Sequence, residues 1–327
     1  MAATSTSDPP APTRRQKRKT KKAKASANEA SGAWYPRWYW PSFTVPGIVW
    51  LALLFLLPFF TVLSVAFGTV DPIFRQPLPV YQPWWWSFAT FNETLSKFYS
   101  GDAIYQGPLI RTFAYVFTAS FICLVVGYAV AYYAARYAGK YRVLVLILLI
   151  SPFWISYLMR IYAWQSLLQP DGYVNDILTG LHVVGEPVNW LAGKHITVIL
   201  GLVYGYIPFM ILPLFGSLDR INQSLLEAGR DLGGSPYETF RRVTLPLSRP
   251  AILAGLVIVS LPMFGDYYTN NLLGTTQTSM FGNLIDNAVT QAGRGPEAGS
   301  LVIILMIIVI IPMLYYLHET KRAAEAR

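Results

Sequence analysis

Few residues of this chain could do chemistry, and the most telling is Asp266, an acid inside an otherwise apolar stretch. Counting about 16 residues on from Pro250 at ~1.5 Å each puts it about 24 Å along a helix, near the far end of a ~30 Å hydrocarbon layer. An acid at mid-bilayer costs ~2.5–3.5 kcal/mol, less near the interface, so such a residue is a functional candidate by default. Phe264, Tyr267 and Tyr268 flank it. A carboxylate beside aromatic faces is chemistry for holding a cation. A plainer reading stands beside that one, in which Asp266 caps the end of its helix or pairs with Arg160. Catalysis has no foothold. The sequence offers no nucleophile–base set and no G-x-x-x-x-G-K-[ST] phosphate loop. His182, His195 and His318 are scattered without metal-ligand spacing. The single cysteine, Cys123, lies in an apolar run and makes neither an intrachain disulfide nor a thiolate metal site. The chain is therefore expected to be no enzyme by itself and to hold no metal and no cofactor.

The elements that must position Asp266 are membrane spans. Of 327 residues 54% are hydrophobic and only 13% charged, with a mean hydropathy of +0.38. A soluble protein carries about 25% charged residues, so the predicted class is an all-α membrane protein. Apolar runs over Thr44–Phe67, Ile110–Tyr133, Val143–Tyr162, Ile196–Gly216, Ala251–Tyr267 and Ser300–Leu317 predict six transmembrane helices. The first is too long and too far from the N-terminus for a cleaved signal peptide. Pro58, Pro152, Pro208, Pro213, Pro262 and Pro312 fall inside or near the ends of spans. Each frees a backbone carbonyl, which is tolerated in a protein bundle and is a habit of helices that line transport pathways.

Charge sets the orientation. Residues 1–43 comprise a basic tail to about residue 33, expected to be disordered, and an interfacial aromatic segment with the cluster Trp34, Tyr35, Trp38, Tyr39 and Trp40. The tail reads better as a positive flank touching anionic lipid than as a nucleic-acid arm. With six spans, 20 of the 26 Lys and Arg residues fall on the side of the two termini and of the 218–250 loop. The positive-inside rule makes that side the cytosol. The chain then reads as a multi-pass protein of the cytoplasmic membrane, with a six-span domain over 44–320, an external loop over 68–109 and a short cytosolic tail over 321–327. Trp84-Trp85-Trp86 in the external loop suits either the membrane interface or a partner's seat.

The 218–250 loop is folded rather than loose. Leu218, Ile221, Leu225, Ala228 and Leu232 recur at helical spacing and predict one apolar face. Gly233-Gly234 should end that helix, and Ser235-Pro236-Tyr237-Glu238 should open another with a capping box. The second helix carries Arg241 and Arg242 and is expected to stop before Leu245-Pro246. Two short helices at a glycine elbow make a device that offers an amphipathic face to a groove in another protein.

Here the residues reach a family. Glu227-Ala228-Gly229, then Gly233, then Val243-Thr244-Leu245-Pro246 resemble the EAA loop of permease subunits of binding-protein-dependent ABC importers, with Gly229 where that pattern has alanine. Three further stretches resemble the spermidine/putrescine type: SPFWISYLMRIYAWQSLLQPDGYVND, LVYGYIPFMILPLFGSLDRIN and MFGDYYTNNLLGTTQTSMFGNLI, with Gly274-Thr275 for the usual Gly-Gly. Together the likeness runs over about 105–315. The resemblance implies a type I, MetI-like permease with cytosolic coupling helices. It implies that Glu227, Ala228, Gly229, Leu232, Gly233, Leu245 and Pro246 couple to an ATPase. It implies a substrate pathway involving Arg160, Tyr162, Trp164, Phe264, Asp266 and Tyr267, where carboxylate and rings would meet a polyamine's ammonium groups and methylenes. The implied partners are two cytosolic ATPase subunits that bind ATP and Mg, a second homologous permease, an external substrate-binding protein and membrane lipid, with no nucleic acid. Iron, sulfate and thiamine permeases share the loop but match the other stretches less well. A secondary transporter would need inverted repeats and intramembrane ion pairs, which the sequence does not clearly show. A membrane scaffold would account for neither the loop nor Asp266.

Overall fold

The computed structural model describes residues 39–100 and 104–325. The basic tail, the cluster residues 34–38 and the last two residues lie outside the described part. The chain separates into two units, Met1–Phe60 and Thr61–Arg327. All that is described of the first is helix α1 (Tyr39–Ala66), which continues into the second. With Ile48, Leu54 and Phe55 exposed and no polar face, α1 is apolar all round, as a span in lipid must be.

The second unit begins within α1 and continues into a segment that precedes the core helices. A two-stranded antiparallel hairpin, β1 (Thr69–Val70) and β2 (Pro77–Leu78), precedes helix α2 (Ala89–Ser96). Three long helices make the core: α3 (Gln106–Arg136), α7 (His195–Arg220) and α10 (Leu245–Phe264). All three pairs among them are in contact. Ala119, Cys123 and Ala131 of α3 are fully buried against Leu202, Met210 and Leu214 of α7. Lipid tails are as apolar as leucine, so close packing of small against large residues, rather than expulsion from water, holds such helices together. Helices α12 (Phe281–Thr290) and α13 (Gly295–Glu325) pack on each other and close the chain.

The all-α membrane class is borne out, and among the described residues five helices are long and apolar enough to cross a membrane. The third expected span, Val143–Tyr162, is not one straight helix. Helix α4 (Arg142–Ile150) passes into a tight turn at Ser151–Trp154, and α5 (Tyr157–Leu167) leaves at 85°. Pro152 opens the tight turn, and the extended backbone of Ile155 and Ser156 then separates it from α5. Helix α6 (Tyr173–Gly180) follows. Two boundaries also differ from expectation. Helix α13 runs on to Glu325, so the tail's first residues are helical. The helix over Arg241-Arg242 does not stop before Leu245-Pro246. A wide turn over Phe240–Thr244, in which the Leu245 amide donates to the Phe240 carbonyl, carries it straight into α10. Widening the turn beside a proline is one way to absorb the missing donor without ending the helix.

Candidate functional site

Asp266 sits two residues past the end of α10, on the link to α11 (Tyr268–Leu273), and is buried. Its carboxylate accepts four hydrogen bonds. The Thr269 amide donates to Oδ1 at 2.9 Å, so the acid caps α11. The Thr269 hydroxyl donates to Oδ2 at 2.9 Å, the Tyr157 hydroxyl at 2.7 Å and the Tyr206 hydroxyl at 3.0 Å. Hydrogen bonds to a charged acceptor are worth about 1.5–3 kcal/mol each, so the four together offset part of the cost of burying a carboxyl group. Tyr157 belongs to α5 and Tyr206 to α7, so the acid ties three helices. Gly205 makes this possible: a Cβ there would meet Tyr157 Cε2 at 2.4 Å.

Arg160 lies one turn along α5 from Tyr157 and is also buried. Its guanidinium carbon stands 4.4 Å from the ring centre of Phe153, 5.6 Å from Tyr157 and 5.8 Å from Tyr204. It forms no ion pair with Asp266. Trp164 meets Tyr204 edge-on at 5.4 Å and so joins the same aromatic cluster. Tyr267 is stacked on Tyr268 at 4.1 Å beside the acid. Two of the expected pathway residues are not gathered here. Tyr162 is exposed. Phe264 packs edge-on against Phe113 at 5.1 Å and lines an apolar groove of about 890 Å³ between α3, α10 and α13. Residue-by-residue reading missed Tyr157, Tyr206 and Thr269, although all three lie within the stretches quoted for their likeness.

The second arrangement is the 218–250 loop. Helix α7 ends at Arg220 and Ile221 is extended, so the loop helix α8 spans Gln223–Asp231. The apolar face expected to run from Leu218 is therefore split. Leu218 and Ile221 are buried in the core, whereas Leu225, Ala228 and Leu232 face out, Leu232 being 89% exposed. Asn222 caps α8, accepting from the Ser224 amide at 3.2 Å. Glu227 is exposed and outside that cap. Gly229 faces inward, 3.4 Å (from its virtual Cβ) off the Thr239 methyl. Gly233 has φ +82°, the left-handed geometry that ends the helix. The capping box of α9 (Pro236–Thr239) is present: the Glu238 amide donates to Ser235 Oγ at 3.2 Å and the Ser235 amide to Glu238 Oε2 at 3.0 Å. Leu245 and Pro246 lie in the first turn of α10. Basic residues hold the loop's root. Arg136 donates to the Leu218 carbonyl at 2.9 Å and the Ile221 carbonyl at 3.2 Å, and Arg142 pairs with Asp219 at 2.7 Å. Charge counting used these two arginines only as tokens of sidedness.

A third cluster fastens the segment between α1 and α3 to α13. Glu297 is buried and paired with Lys97 at 2.8 Å and Arg294 at 2.6 Å, and it accepts from the Tyr105 hydroxyl. Burial alone would lower the Lys97 pKa, but the bond to and charge of Glu297 outweigh it, and the net shift is upward.

Comparison with known proteins places the chain in a family. A family model described as "Binding-protein-dependent transport system inner membrane component" matches residues 34–321. The chain belongs to this family. A spermidine/putrescine transport system permease protein, PotB, of Escherichia coli K12 is 34% identical over 273 residues, covering 83% of this chain and 94% of that protein. PotB of Haemophilus influenzae is 32% identical over 272 residues, covering 83% and 91%. An E. coli inner membrane ABC transporter permease, YdcU, is 33% identical over 183 residues, 52% of this chain and 56% of that one. Among solved structures, a chain of a bacterial ABC transporter that imports the acidic polysaccharide alginate superposes with a TM-score of 0.68 at 21% identity, covering 87% of this chain and 96% of that one. That likeness is one of fold. The chain is thus a multi-pass membrane permease component, and its family's members are transport subunits rather than catalysts.

Proposed function

We propose that this chain is the permease subunit of an ATP-driven importer of polyamines, forming half of the translocation pathway. The observation that carries the reading is the 34% identity, sustained over 83% of the chain, to spermidine/putrescine permeases. A buried carboxylate amid tyrosines agrees with a cationic cargo. A second, homologous permease completes the pathway, and an external binding protein delivers the substrate. Two cytosolic ATPases bind ATP and Mg and do the hydrolysis. They receive the exposed Leu225–Ala228–Leu232 face of α8, with Glu227, Gly229, Gly233, Leu245 and Pro246 fixing its shape and its link to α10. When the ATPases close they move α8, and the strut through α9 and α10 passes that movement to the Asp266 link. Both termini and the loop lie in the cytosol.

The test is the ATPase activity of the purified assembly in lipid nanodiscs with its binding protein, titrated with spermidine, putrescine, sulfate and ferric ion. Stimulation by a polyamine alone is expected. Stimulation by sulfate or iron keeps the importer and discards the polyamine. Failure of any ATPase to co-purify overturns the coupling role of the loop.

A further inference from the structure

Three charged side chains are buried among the described residues: Arg160, Asp266 and Glu297. Glu297 has two cationic partners. Arg160 and Asp266 carry opposite signs and share a neighbour, Tyr157, whose hydroxyl is bonded to the acid while its ring lies under the guanidinium. Yet no ion pair joins them. The acid is satisfied by neutral hydroxyls, whereas Nε and Nη1 of Arg160 have no hydrogen-bond partner at all. Ring faces offset part of a cation's charge, but they leave these two N–H groups unsatisfied. A buried guanidinium in that condition is poised to move toward an anion. Its helix is joined to α4 only through the extended residues Ile155 and Ser156, at the 85° break, so no continuous helix holds α5 to α4.

We propose that Arg160 is the chain's own competitor for Asp266. It is a tethered cation, held in the box of Phe153, Tyr157 and Tyr204, that closes on the carboxylate when α5 shifts and so expels a bound ammonium group. This rests on the polyamine reading for its cargo, but the pairing itself does not. In the conformation described here, Tyr157 occupies Oδ2 and keeps the two charges apart. Displacing Tyr157 exposes the acid, first to the substrate's ammonium group and then to Arg160. Arg160 is thus a positioning residue for release.

The experiment uses the whole assembly in proteoliposomes, with spermidine as the probe. Without release by Arg160 the substrate stays longer, so Arg160→Gln is expected to lower the maximal uptake rate about tenfold and the KM several-fold together, a pattern a merely structural role does not give. Arg160→Lys, which keeps a tethered cation, is expected to restore most of the rate. A raised KM in Arg160→Gln, or no rescue by lysine, overturns the proposal. Tyr157→Phe covers the case in which Arg160→Gln fails to assemble: freeing Oδ2 for the competitor should raise the KM, and an unchanged or lowered KM counts against it. The pairing is tested without cargo by the substrate-free ATPase rates of Arg160→Gln, Asp266→Asn and the double variant. The double variant is expected to be no worse than the worse single one; independent, additive effects overturn the pair. If spermidine does nothing in the unmodified assembly, the polyamine reading falls while this cycle still decides the pairing.

Discussion

At the scale of single residues the acid and its donors carry the most consequence. Asp266→Asn keeps the volume but turns one acceptor into a donor that faces hydroxyls, and it removes the charge that would meet a cation. Uptake of spermidine by proteoliposomes is expected to fall at least about tenfold, while the ATPases still co-purify, because α8 is untouched. Full uptake by this variant removes Asp266 from the pathway. Gly205→Ala tests the same site from the other side. Its methyl would meet the Tyr157 ring at 2.4 Å, so the ring must move off the acid. Overpacking of this kind costs about 1–3 kcal/mol and should show as a lower melting temperature of the assembly together with lost uptake. The departure at Gly229 from the family's alanine reads differently. A Cβ there finds ordinary contact at 3.4 Å, so Gly229→Ala is expected to stabilise α8 by about 0.5–1 kcal/mol and leave transport intact, as thermal unfolding and uptake would report.

At the scale of elements the loop and the external fastening make separate predictions. Gly233 needs a positive φ but has open space around its Cβ, so backbone strain is the only intrachain obstacle to a side chain. Gly233→Asn, which tolerates the left-handed region, should retain the ATPases. Gly233→Val should pay about 1–2 kcal/mol of strain, misdirect α8 and release them on size exclusion. Equal retention by the two variants would show that the elbow's geometry is not what docks. Elsewhere, Glu297→Ala removes the anion shared by Lys97 and Arg294 and leaves Lys97 only its pair with Glu93, at a cost of about 1–3 kcal/mol. Increased protease cleavage between β1 and α2, with α8 still bound, checks it. The Lys97 side follows from its raised pKa. Its contribution is fully present below the ordinary lysine value and fades as pH rises through the higher folded one. On the lysine side the fastening therefore loosens in strongly alkaline solution.

At the scale of the whole molecule, sequence pattern reached some features and not others, for physical reasons. Long apolar runs and the capping chemistry of Ser235–Glu238 are local signals, and α1, α3, α7, α10, α13 and the glycine elbow followed from them. The 85° break did not follow, because a proline such as Pro152 is tolerated within a continuous span as well as at a break, and its position alone does not tell the two apart. Nor did the meeting of Tyr157, Tyr206 and Asp266, since residues 109 and 60 positions from the acid are brought to it only by packing. Sidedness is the remaining global property, and it rests on charge. If six spans put the termini on one side, twenty of 26 basic residues fall there, and two of them, Arg136 and Arg142, hold the root of the loop. Moving that side across the membrane would carry those charges and the ATPase-docking face with them, so orientation and coupling stand or fall together. A fluorescent protein fused after Arg327 is therefore expected to glow, as it does only in the cytosol. Alkaline phosphatase inserted at the hairpin between β1 and β2 should be active, and the same insertion in α8 should not. An active phosphatase in α8 would invert the topology and leave no route by which ATP could drive this chain.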